Sequence, residues 1–165
     1  MILYLVRHAI AVESGTPGYA DEDRPLTEEG IERMQRAARG LARLIDPPDL
    51  IASSPLLRAK QTAEILAVAL QSRDGVSEWP ALIPSAAASK VLPQIKGHYG
   101  DSGAILIVGH EPHISLLTAL LMGTAPHAFA YKKGGVCALE CPAKITQGSA
   151  KMMWFLTPKQ LRQLA

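Results

Sequence analysis

Arg7 and His8 follow directly on an apolar run, Ile2 to Val6, and His110 follows a second, Ala104 to Val108, after a single glycine. Between them in the chain, Ser53-Ser54-Pro55 closes a shorter apolar stretch, with Arg58 three residues further on. An imidazole with an unperturbed pKa of about 6.5 is a competent neutral nucleophile near pH 7. A guanidinium presents a planar fork of donors that matches carboxylate or phosphate oxygens. Two of each, with a helix start beside them, would suit a phosphoryl group. They meet only if the apolar runs before them are neighbouring strands whose carboxyl ends share one edge of a sheet, where open α/β folds bind ligands.

The pattern of elements supports such a sheet. Apolar runs alternate with helical periodicity, as in βαβ units around a largely parallel sheet, and continuous apolar runs such as Ile2–Val6 fit a sheet covered on both faces. A polar loop spans Val12 to Arg24. Ile31, Met34, Ala38, Leu41 and Ile45 recur at spacings of three and four, which predicts a helix from Glu28 to about Ile45 with Thr27 as N-cap and Pro47-Pro48 as its stop. Arg36, Arg39 and Arg43 share another face of it, read as a solvated surface. Leu50 to Ala52 reads as a strand, followed by a helix to about Leu70 capped by Ser53 or Ser54 with Pro55 near its first position. A weaker extended stretch is expected at Trp79–Ile83 and helical material from Ala86 towards Ile95. A helix is expected at His113–Met122, an antiparallel edge pair at Val136–Cys141 and Met152–Leu156, and a short last helix after Thr157-Pro158. The cations at the shared edge are expected to lack matching carboxylates, which a purely structural role would require.

Composition narrows the function classes. The 165 residues are 48% apolar and 19% charged with a net charge of +2, which fits one domain, 1–165, with a full core and is too mild for nucleic-acid or membrane binding by bulk charge. Six apolar residues at the start are too few for a signal sequence or a span, so a soluble cytoplasmic protein is the expectation. Cys137 and Cys141 read as buried thiols on a strand rather than a disulfide framework or a zinc site.

Four segments, in order, carry a resemblance. Leu5-Val6-Arg7-His8-Ala9, Arg24-Pro25-Leu26-Thr27-Glu28-Glu29-Gly30, Ser53 to Ala63 and Val108-Gly109-His110-Glu111-Pro112 resemble the signature motifs of the histidine phosphatase superfamily, the phosphoglycerate-mutase-like group. The short chain is similar to its SixA branch of phosphohistidine phosphatases, since larger relatives insert a segment over the pocket. The resemblance implies a three-layer α/β fold with a mostly parallel central sheet. It also implies transient phosphorylation of His8, with Arg7, Arg58 and His110 binding the phosphoryl oxygens and no cofactor or metal. Many relatives place a proton-donating carboxylate after the third strand. Leu82 to Ala87 offers none, which leaves Glu78 upstream, Asp101 downstream and Glu111 as possible donors. A missing acid favours a substrate whose leaving group is an imidazole nitrogen rather than an alkoxide. The expected partner is therefore a phosphohistidine-bearing protein, or else a small phosphorylated molecule, met by a monomer. Two rival readings are a metal hydrolase using His110, Glu111 and His113, whose spacing departs from the zincin pattern, and a non-catalytic phosphoprotein-binding module. Lys132 and Lys133 before Gly134-Gly135 read as a solvated turn that could widen a basic rim.

Overall fold

The computed structural model describes residues 1–98, 100 and 103–165; Asp101 lies outside them. Six strands, β1 (Ile2–Arg7), β2 (Leu50–Ser53), β3 (Val76–Glu78), β4 (Ala104–Gly109), β5 (Val136–Glu140) and β6 (Lys151–Leu156), form one sheet in the order β3-β2-β4-β1-β5-β6. The first four of that order are parallel; β5 runs antiparallel to β1, and β6 antiparallel to β5. The helices are α1 (Glu28–Leu41), α2 (Leu57–Ala69), α3 (Leu92–Gly97), α4 (His113–Met122) and α5 (Pro158–Gln163).

Period-two alternation splits the central strands between two cores. Tyr4 and Val6 of β1, Leu106 and Val108 of β4, and Val136 and Ala138 of β5 pack with Met34, Ala37 and Leu41 of α1, Ala59, Ala63 and Leu66 of α2, and Leu161 of α5. Leu3, Leu5, Ile105, Ile107, Cys137 and Leu139 pack on the opposite face with Ile95 of α3 and Ile114, Leu117 and Leu121 of α4. Helices thus cover both faces of a mixed, mostly parallel sheet. Cys137 and Cys141 are buried free thiols, and burial pushes each up to about 11. Among the described residues no helix is long and apolar enough to cross a membrane.

The register of β1 on β4 positions the chemistry. Arg7 lies opposite Gly109, and the His8 N–H donates to the Gly109 carbonyl at 2.9 Å. His8 and His110 therefore leave the sheet side by side. α1 closes over this end at Gly30, where a Cβ would stand 2.0 Å from the Ile10 carbonyl oxygen, and in its last turn it packs on α5 at Gly40, where a Cβ would stand 1.8 Å from the Leu161 carbonyl oxygen.

Several boundaries differ from those the sequence suggests. α1 ends at Leu41 rather than near Ile45, because the chain tightens into a turn with Arg43 N–H on the Gly40 carbonyl and Leu44 N–H on that of Leu41. Neither Ser53 nor Ser54 caps α2, and Pro55 precedes it; the N-cap is Leu56, and the Ser53 hydroxyl donates to the Ser54 carbonyl instead. The third strand is Val76–Glu78, with Trp79 still bonded to the Ser53 carbonyl, whereas Pro80–Leu82 is a 3₁₀ turn and not extended. The helical stretch after Ala86 divides into a 3₁₀ turn, Ala88–Val91, and α3. Thr27 and Thr157 do cap α1 and α5, and Arg36, Arg39 and Arg43 lie exposed on and just beyond α1.

Candidate active site

His8 emerges from the end of β1 nearly buried, and His110 from the end of β4 more so. Their ring centroids are 5.0 Å apart with planes inclined at 53°. The Nδ1 of His8 lies 2.7 Å from its neighbour Ala9's carbonyl oxygen. A carbonyl only accepts, so Nδ1 carries the proton and Nε2 keeps its lone pair. Ala9 is fixed in turn: its N–H donates to Thr62 Oγ1 at 3.0 Å, and the Thr62 hydroxyl donates to the Arg58 carbonyl at 2.6 Å. A buried threonine of α2 thus ties the backbone beside His8 to the helix that carries Arg58.

Both imidazoles are neutral at physiological pH. Burial, reinforced by the positive charges of Arg58, Arg7 and Lys133 and opposed by the Ala9 carbonyl, pushes His8 down to about 3. Burial, with His8, Arg58 and His113 adding to it and Asp21 opposing, pushes His110 down to about 2. Neutral His8 can act as a nucleophile without first losing a proton.

Arg7 and Arg58 flank the pair. The Nη1 of Arg7 donates to the Tyr131 carbonyl at 2.6 Å. Glu111 holds that carbonyl in place: its Oε1 accepts from the Tyr131 N–H at 2.9 Å and from Ser115 Oγ at 2.7 Å. Glu111, considered as a proton donor from sequence, accepts both of these hydrogen bonds from the segment that anchors Arg7 and from α4. Arg58, almost fully buried, donates from Nη1 to the Asp21 carbonyl at 2.6 Å and lies 3.2 Å through Nη2 from Asp21 Oδ2. The expectation of cations without matching carboxylates is therefore corrected at Arg58. Asp21 also pairs with Arg24 at 2.8 Å. The start of α2 is likewise less open to an anion than the sequence suggests, since the Leu57 N–H donates to the Glu22 carbonyl at 2.9 Å.

Glu78, the other expected donor, is paired with Lys60 at the surface. His113 begins α4 and is fully buried. Among the described residues no three His, Cys, Asp or Glu side chains gather as metal ligands, and the Glu111 carboxylate is engaged by Ser115 and Tyr131 rather than by the histidines beside it in sequence. The structure thus brings together His8, His110, Arg7 and Arg58. Thr62, Asp21, Tyr131 and the Ala9 carbonyl are hydrogen-bond partners of these residues and their backbone that sequence reasoning missed. Three of them act through backbone carbonyls, which leave no side-chain signature.

Six of the eight buried side-chain nitrogen and oxygen atoms without a partner among the described residues belong to Arg7, Arg58, His110 and His113. Natural structures pair nearly all such groups, and exceptions cluster at sites with a chemical role. Lone-pair Nε2 of His8, two guanidiniums and a second imidazole can together bind a phosphoryl group and take it onto nitrogen.

The histidine phosphatase superfamily (branch 1) family model matches residues 3–83. An uncharacterised protein of Picosynechococcus is 33% identical over 166 residues, covering 98% of this chain and 99% of that one. The phosphohistidine phosphatase SixA of Escherichia coli is 24% identical over 164 residues, covering 98% and 97%. A structure of the protein histidine phosphatase SixA complexed with tungstate superposes with a TM-score of 0.85 over 98% of this chain and 99% of that one, at 22% identity.

Proposed function

The chain belongs to the histidine phosphatase superfamily, and from that premise we propose that it is a metal-independent phosphatase that carries the phosphoryl group on His8 and removes it from phosphohistidine in a signalling protein. In the first step Nε2 of His8 attacks phosphorus in line with the leaving group. The new P–N bond forms as the bond to the substrate breaks. When the leaving group is an imidazole, protonation of its remote nitrogen lets it depart neutral, so no side-chain acid is required. In the second step water attacks phosphorus from the vacated side. The His8–phosphorus bond breaks, the water proton passes to the released phosphate or to solvent, and Nε2 recovers its lone pair.

Arg7 and Arg58 stabilise the charge on the equatorial oxygens, taking the place a divalent cation holds in other phosphoryl-transfer sites. His110 contributes an N–H, and the bound dianion favours its protonated form. The observation that carries the proposal is the bond of His8 Nδ1 to the Ala9 carbonyl beside His110, because it fixes the attacking tautomer. The name of the E. coli relative supports the substrate class, as does the absence of a carboxylate between Leu82 and Ala87.

A panel of phosphohistidine, phosphoserine and phosphotyrosine peptides with sugar phosphates, run in chelator with His8→Ala as control, tests the proposal. Phosphohistidine should have the highest kcat/KM, and chelation should leave it unchanged. Equal or better turnover of phosphoserine or a sugar phosphate would replace the protein substrate with a broad small-molecule phosphomonoesterase activity. No turnover of any member would leave a binding module.

A further inference from the structure

Beside the catalytic residues, α1, the Lys132–Gly135 turn and the start of α5 enclose a cavity of about 510 Å³, within the usual range of ligand pockets, about 300–1,000 Å³. Arg7, Lys132, Lys133, Lys159 and Arg162 line it, with Arg33 from α1, and no carboxylate does. Arg33 is paired with Glu29. The other five cations form no ion pair among the described residues. Their mutual repulsion is maintained by the fold: the Gly134 N–H donates to the carbonyls of Arg7 and His8, at 3.0 and 3.2 Å, which pins the lysine-bearing turn to the end of β1. The capping box at Thr157 likewise fixes the start of α5 and so the backbone bearing Lys159.

The cavity is chemically two-sided. Met34, Ala37 and Pro158 supply apolar lining, while the cations supply positive charge. An inorganic anion would use only the charge. A peptide segment that carries both carboxylates and an apolar side chain would use both surfaces. Continuity with the catalytic residues is direct, because Arg7 belongs to both and the Lys133 charge acts on His8.

We infer that this cavity receives an acidic segment of the phosphoprotein substrate, its carboxylates meeting Lys132, Lys133, Lys159 and Arg162 and an apolar side chain covering Met34. The inference rests on the phosphohistidine reading above and adds a recognition rule to it: the substrate's phosphohistidine is flanked by acidic residues. Complementary charge of this kind speeds encounter and rejects wrong partners.

Two phosphohistidine peptides identical except for flanking Glu or Gln residues test it with the full chain. The wild type should prefer the Glu-flanked peptide about fivefold in kcat/KM, through KM, and salt should erode that preference. In Lys159→Gln/Arg162→Gln the preference should fall to near unity. Lys159→Glu/Arg162→Glu should favour a Lys-flanked peptide, which supplies a readout if the neutral variant folds poorly. Equal turnover of both peptides by the wild type, or a preference that survives the charge substitutions, overturns the inference and leaves the phosphohistidine reading intact. No turnover of either peptide, with turnover of phosphoserine or sugar phosphates, overturns both.

Discussion

The two depressed histidines couple the active site to the stability of the fold, and the size of that coupling follows from the structure. In the unfolded chain His8 and His110 titrate near 6.5; in the fold they are held down to about 3 and about 2, chiefly by burial. Because the folded values are depressed, the unfolded state binds more protons as pH falls below 6.5, so the stability present above that value is lost on acidification. Each group approaches a slope of about 1.4 kcal/mol per pH unit, which integrates to about 2 kcal/mol between pH 7 and pH 5, or about 4 kcal/mol for the two as an upper limit. Carboxylates such as Asp21, where burial is the largest single effect and raises the pKa but the Arg24 and Ser14 hydrogen bonds and the charges of Arg58 and Arg24 together outweigh it and hold the group low, contribute mainly at lower pH, and they are common to any variant. The clean comparison is therefore the wild type against His8→Asn/His110→Asn. Urea unfolding at pH 7 and pH 5 should show the wild type losing at least about 2 kcal/mol more than the double variant. Parallel losses in the two proteins would refute the claim that the fold holds these imidazoles neutral.

Other perturbations probe individual contacts. Glu111→Gln keeps an acceptor for the Tyr131 N–H and should retain kcat/KM within about tenfold, with no limb removed from its pH–rate profile; loss of a limb would make Glu111 a proton donor. Glu111→Ala leaves that buried N–H unpaired and should cost about 1–3 kcal/mol in urea unfolding, with a raised KM from the loosened Arg7. Gly40→Ala forces a Cβ onto the Leu161 carbonyl and should destabilise the fold by about 1–3 kcal/mol while leaving the kcat of the folded fraction close to wild type. Asp21→Asn removes a half-exposed negative charge beside Arg58 and should tighten inhibition by inorganic phosphate by up to about fivefold; weaker inhibition would mean that the Asp21 carboxylate is needed to hold Arg58 in place.

The strands that carry the site were legible because each is a continuous apolar run ending in a reactive residue, and Ile2–Val6 and Ala104–Val108 are indeed adjacent and parallel. The third strand was not. Val76-Ser77-Glu78 has three residues with no apolar pattern, and it forms because its backbone pairs with β2, so the neighbouring Trp79 and Ile83 drew the assignment instead. His8, His110, Arg7 and Arg58 were visible as residue types at strand ends. What sets their chemistry was not visible. The His8 tautomer is decided by the Ala9 carbonyl, Arg7 by the Tyr131 carbonyl, and Arg58 in part by the Asp21 carbonyl. Carbonyls are present at every residue, so only the folded path of the chain selects these three. Asp21 lies in a polar loop whose return to α2 depends on a backbone bond from Leu57 to Glu22, and no periodicity marks that return.

The proposed chemistry turns on which atom accepts the phosphoryl group. Rapid quenching of the wild type during turnover of a phosphohistidine peptide, followed by phosphorus NMR and fragmentation mass spectrometry of the quenched protein, reads that atom directly. An acid-labile phosphate on Nε2 of His8, absent from His8→Ala, is the expected result. Phosphate on Nδ1 or on another side chain, or undiminished turnover by His8→Ala, would contradict it.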